Sequence, residues 1–197
     1  YADWLLGAIQ ALQADLPKIA ASADAAAKVY VQEGTGIAAH GDLGFTKEIN
    51  NRAGGIIRMQ YAAKVPADFK GVILAYIRED TLDEDVKAIN DFHQRGCHVV
   101  AFGSSRLLDL ASYRAMESDS AIHAGMHDRL LIITGVSIQG KLAMPGESHV
   151  LPTAPAAGIL AAWTWQAEFV AACTRLGKMP PMFQSYAIPG SKDRFAK

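Results

Sequence analysis

Two runs decide the fold: GVILAYI at Gly71–Ile77 and HVVAF at His98–Phe102. Each is apolar without alternation, the mark of a strand buried on both faces. Between them, Leu82 to Arg95 carries Val86, Ile89 and Phe92 on one side of a helical repeat, and Gly96 ends it. Strand, helix and strand within residues 71–102 make one βαβ unit, expected to be right-handed with parallel strands. The fold class that follows is α/β, with an open, mostly parallel sheet and helices on both faces.

Upstream of that unit, Leu5, Ile9, Leu12, Leu16, Ile19 and Ala23 recur at three- and four-residue steps, which predicts a long helix over an N-terminal segment at 1–33. Pro17 predicts a kink there, or a break into two helices. Gly34 and Gly36 stop the pattern. A short strand follows at Ile37-Ala38-Ala39, then the turn His40–Gly44, a short helix from Phe45 to Arg52, and a candidate strand from Ile56 to Tyr61. Downstream, Leu107–Met116 reads as helix and Leu130–Thr134 as strand. Residues 135–152 are rich in Gly and Pro and read as a connection. Ala156–Leu176 is a long apolar helix, and residues 177–197 form an extended tail with too many prolines for regular structure. No internal repeat or linker divides the 197 residues, so a single domain is expected.

Composition bounds the function. Twenty acidic and 19 basic residues leave a net charge of −1, which argues against broad binding to nucleic acid or to an anionic membrane. No apolar run approaches the ~20 residues that span a bilayer. The two cysteines, Cys97 and Cys173, match no disulfide framework and no zinc spacing, so a reducing, cytoplasmic compartment is expected. The chain opens on Tyr1 rather than Met, which leaves room for a preceding segment.

Ligands of open α/β sheets sit beyond the carboxyl ends of the strands, where strand order reverses. Three loops qualify. In His40-Gly41-Asp42-Leu43-Gly44 a glycine allows close backbone approach while His40 and Asp42 offer polar contacts; equally, Asp42 can simply cap the next helix. Arg78-Glu79-Asp80-Thr81-Leu82-Asp83-Glu84-Asp85 puts carboxylates at a helix N-terminus, where they complement the dipole, and Thr81 with Glu84 fits a capping box. Carboxylates there would also repel a phosphate, which Arg78 offsets in part. Gly103-Ser104-Ser105-Arg106 could hold a phosphate or sugar through hydroxyls, N–H groups and a guanidinium, or could be a plain N-cap. His123 and His127, four apart beside Asp128, lack a third ligand, so no metal and no cofactor is expected. Trp163 and Trp165 cannot share one helix face, which leaves at least one of them available to an interface.

Further motifs fall in a recognisable order. Glu48-Ile-Asn-Asn-Arg-Ala-Gly-Gly55 follows the first turn, the βαβ unit spans Gly71–Gly103, Asp119 and Ile122 precede the last strand region, and Gly177-Lys-Met-Pro-Pro-Met-Phe-Gln-Ser185 follows the last helix. In this order, from about Leu12 to Gly190, the chain resembles the SIS (sugar isomerase) domain family, and within it the phosphoheptose-isomerase-like subgroup. The resemblance implies a three-layer sandwich around a flavodoxin-like sheet, a homodimer or higher homo-oligomer, a sugar or sugar-derivative ligand, phosphorylated ones included, and isomerase-type activity. It makes Glu48 the candidate base, with His40 or His123 assisting, and Gly41, Asp42, Arg78, Thr81, Ser104, Ser105 and Thr153 the candidate ligand contacts. Where the family has an S-x-S-G-x-T loop, this chain reads Arg78-Glu79-Asp80-Thr81-Leu82, with Thr81 its sole hydroxyl. Asp42 stands for the family's first-turn serine, and Pro152-Thr-Ala-Pro155 keeps Thr153 alone. A non-catalytic regulatory or structural relative is therefore the alternative expectation.

Overall fold

The computed structural model describes residues 2–50, 52–56, 59–78, 80–104, 131–135, 141–143, 150–152, 154–185, 187–191 and 193. Strands β1 (Ile37–His40), β2 (Gln60–Tyr61), β3 (Val72–Tyr76), β4 (His98–Ser104) and β5 (Leu131–Gly135) form one sheet in the order 2-1-3-4-5. Every neighbouring pair in it is parallel. The α/β class and the parallel sheet thus stand as read, and the order is that of the flavodoxin-like doubly wound arrangement.

The inner stretches of β1, β3 and β4 are apolar because both faces are covered. One face carries Ile37, Ala39, Val72, Leu74, Tyr76, Val100 and Phe102 against helices α1 (Ala2–Gln32), α2 (Leu43–Ile49) and α4 (Ala154–Arg175). The other carries Ala38, Ile73, Ala75, Ile77, Val99 and Ala101 against α3 (Leu82–Gln94). Alternate residues of each strand go to opposite faces, as the pleat dictates.

The first and last helices pack on each other through an aromatic cluster. Trp165 is fully buried, stacks on Phe169 with centroids 4.9 Å apart, and donates its indole N–H to Ser22 Oγ at 3.1 Å. Trp163 is half-buried and lies over Gly55. The tail after α4 returns to the same turn: Gly54 N–H donates to the Phe183 carbonyl at 2.8 Å, and Phe183 N–H donates to that of Gly55 at 2.9 Å. The Arg52–Gly55 and Gly177–Ser185 segments singled out above therefore meet in space.

Several expectations need correction. Helix α1 runs unbroken through Pro17. Proline removes the bond to the carbonyl four residues back, that of Gln13, but both residues are exposed, so water can take its place. The strand expected over Ile56–Tyr61 shrinks to two residues, with Ile56 forming a lone antiparallel bridge to Met182. The connection at 135–152 contains an antiparallel hairpin, β6 (Lys141–Ala143) with β7 (Val150–Pro152), separate from the main sheet. The helix expected at Leu107–Met116 lies outside the described residues. No described helix is long and apolar enough to cross a membrane.

Candidate functional site

After β1 the chain turns to β2 on one side, and β3 then lies on the other, so strand order reverses between β1 and β3. The loops leaving the carboxyl ends of these two strands flank the crevice that such a reversal creates. His40 closes β1 in register with Ala75, and Tyr76 closes β3 opposite Phe102.

Gly41 turns the chain at φ +136°, and a Cβ there would lie 3.0 Å from Tyr76 Cβ. Only glycine fits so close an approach without strain. Asp42 is the N-cap of α2. Its Oδ1 accepts from Phe45 N–H at 2.7 Å, and its carbonyl accepts from the Thr46 hydroxyl at 2.8 Å. The capping reading of Asp42 is therefore realised. Tyr76 is buried, stacked on Phe45 at 4.9 Å. Burial, and then the Asp42 charge, push its phenol up to about 12.

On the opposite face, Asp85 is 2% exposed on the sheet side of α3, beside Leu82, Val86, Ile89 and Phe92. Its Oδ1 meets His40 Nε2 at 3.0 Å. Its Oδ2 accepts from the Thr81 hydroxyl at 2.9 Å and from Arg78 N–H at 3.1 Å. Burial alone would raise the Asp85 pKa. The hydrogen bonds from His40, Thr81 and Arg78 outweigh it and hold the carboxyl below its ordinary value.

This arrangement corrects the expected capping box. The Thr81 hydroxyl makes no cap bond to α3 and turns to Asp85 instead. The acidic run is also less open than its charges suggest, since one of its carboxylates faces inward. Arg78 Nε lies 3.9 Å from Asp85 Oδ2, and one of its terminal nitrogens lies 3.9 Å from the exposed carboxylate of Asp80. Among the described residues, Arg78 Nε is buried without a hydrogen bond.

The site residues therefore separate. His40, Thr81 and Arg78 converge on Asp85, with Gly41 and Asp42 on the adjoining loop. Glu48 lies at the far end of α2 and is chelated by Arg52, whose Nε is at 3.0 Å and whose terminal nitrogen makes a second bond. Ser104 ends β4 in register with Gly135. Ser105, Thr153, His123 and His127 lie outside the described residues. Among the described residues, no group of three His, Cys, Asp or Glu could hold a metal ion.

Asp85 is the buried carboxylate on which His40, Thr81 and Arg78 meet, and by composition alone it is one more acid of a run. A signal for it existed: in Leu82, Asp85, Val86, Ile89 and Phe92, the carboxylate interrupts an apolar stripe at helical spacing. No protein-family model matches the chain, and no curated protein matches it.

Proposed function

We propose that this chain binds a sugar or sugar derivative in the crevice beyond the carboxyl ends of β1 and β3, as its resemblance to SIS domains implies. The supporting observation is the reversal of strand order between β1 and β3 with His40, Arg78 and Thr81 converging beside it. The polar groups of such a crevice suit a hydroxyl-rich ligand. Arg78 is already flanked by Asp80 and Asp85, so it has little charge to spare for a phosphate. That favours a neutral or amino sugar. Ser104, Ser105 and Thr153 complete the proposed contacts, Glu48 is the carboxylate the resemblance assigns to proton transfer, and a homodimer or larger homo-oligomer is the proposed assembly. The flanking of Arg78 equally favours a relative that has lost phosphosugar binding and serves a regulatory or structural role.

Thermal unfolding with a panel of neutral sugars, amino sugars and sugar phosphates tests this. A ligand at 100 times its Kd stabilises by about 2.7 kcal/mol, a rise of roughly 5–10 °C for a domain of this size. A rise with neutral or amino sugars alone supports the proposal. A rise with phosphates alone overturns the ligand preference, and no rise with any overturns the sugar reading in favour of the structural one.

A further inference from the structure

A carboxylate buried on an apolar helix face persists only when its charge is satisfied. In Asp85 the satisfaction is divided between its two oxygens. Oδ2 takes both local donors, the Thr81 hydroxyl and Arg78 N–H, which anchors the carboxylate to the start of α3. Oδ1 is left for one partner from another element, the His40 ring at the end of β1. An ionised carboxylate only accepts hydrogen bonds, so His40 Nε2 carries the hydrogen. In the neutral ring Nδ1 then holds a free lone pair. Phe92 packs against the ring at 6.0 Å, edge to face, which fixes its tilt, and the side chain keeps 23% of its surface exposed. A part-exposed ring held at Nε2 by a buried carboxylate has the arrangement of a positioned general base.

We infer that His40 accepts a proton from the ligand of the β1–β3 crevice through Nδ1, and that Asp85 is the positioning residue that holds it in the Nε2–H tautomer. The ligand's class rests on the sugar-binding reading; the tautomer does not. Nδ1 takes a proton from a carbon beside the sugar carbonyl, and the electron pair stays on the ligand as an enediolate. The imidazolium formed is stabilised by Asp85, and the same nitrogen returns the proton to the ligand. Nothing is oxidised or reduced. Among the described residues, the charges beside the pair include Arg78, whose Nε lies 3.9 Å from Asp85 Oδ2, Asp80, 3.9 Å from Arg78, and Arg95, over the ring of Phe92 at 5.5 Å.

Long-range nitrogen–proton NMR of the full chain, labelled with nitrogen-15, reads the tautomer directly, with His40 assigned by its loss in His40→Gln. The expected pattern is Nε2–H in the wild type and a shift toward Nδ1–H in Asp85→Asn, whose amide can itself donate. An Nδ1–H pattern in the wild type overturns the inference, as does an unchanged pattern in Asp85→Asn. If that variant does not fold, the wild-type pattern decides alone. Incubation in D2O with D-glucosamine, D-fructose or D-fructose 6-phosphate then follows exchange of the carbon-bound proton beside the carbonyl. The expected loss in His40→Gln is at least 100-fold. A sugar that raises Tm yet shows no exchange dependent on His40 overturns the base role. If no sugar binds, the sugar reading fails and the NMR pattern still decides on the pair.

Discussion

Position 41 leaves no room for a side chain. A Cβ there would meet Tyr76 Cβ at 3.0 Å and the Tyr76 carbonyl at 3.3 Å, on a backbone already at φ +136°. Gly41→Ala is expected to cost about 1–3 kcal/mol, read as a lower urea midpoint with an unchanged slope. Gly158 is a second such point on the same ring: its Cβ would lie 2.5 Å from Tyr76 Cε2. The ring is wedged against Phe45, so Gly158→Ala should cost about 1–3 kcal/mol by overpacking. A loss below 0.5 kcal/mol in either would mean that Tyr76 is free to move. Asp85 belongs to the residue scale too. Asp85→Ala strands the Thr81 hydroxyl, the Arg78 N–H and the His40 ring together, and about 3 kcal/mol of stability should go with it.

Among the elements, α1 carries an avoidable weakness. Proline inside a helix costs about 3 kcal/mol relative to alanine. Pro17 is exposed, so little packing offsets that cost. Pro17→Ala should raise stability by up to about 3 kcal/mol, and a fall in the urea midpoint would show that Pro17 has a packing role. The same helix shows how far a sequence can be read. β3, α3 and β4 were legible because strands covered on both faces must be apolar and a helix lying on one must be amphipathic. Whether a proline breaks a helix depends on what its orphaned carbonyl faces, and that is a property of the surrounding fold. The β6–β7 hairpin was hidden for another reason: three-residue strands are too short to show a period. At the site, strand-end position points to His40 and Asp42, whereas Asp85 is marked only by the break it makes in the apolar stripe of α3. The choice of the Thr81 hydroxyl between a cap and Asp85 lies within one helical turn, where local spacing offers both partners.

For the whole molecule, Asp85 sets an acid sensitivity. Its carboxyl titrates below 3.8 when folded and near 3.8 when unfolded. Between those values the unfolded chain binds more protons, so this contribution is fully present above about pH 4 and is lost as pH falls through the folded value. Urea melts at pH 7 and pH 3 should therefore show a larger loss for the wild type than for Asp85→Asn. Equal losses would mean that the carboxyl is not held ionised by its neighbours. The thiols report on the same cooperative unit. Cys97 and Cys173 are both free and buried, and burial pushes Cys173 up to about 11. Neither should react with a disulfide reagent at neutral pH until the chain unfolds, when two thiols should appear.

The bond from Trp165 to Ser22 joins residues 143 apart in the chain, and that separation has a consequence in time. A ribosome adds about 5–20 residues per second, so the first helix emerges about 7–30 s before the helix it packs against. Until then one flank of it stays wet, open to a holding chaperone or to a neighbouring nascent chain. Within the βαβ unit, β3 pairs with β4 and α3 covers their shared face, contacts that close over short stretches of chain and can set early. The seam between α1 and α4 is thus expected to close after the centre of the sheet, once α4 has been made.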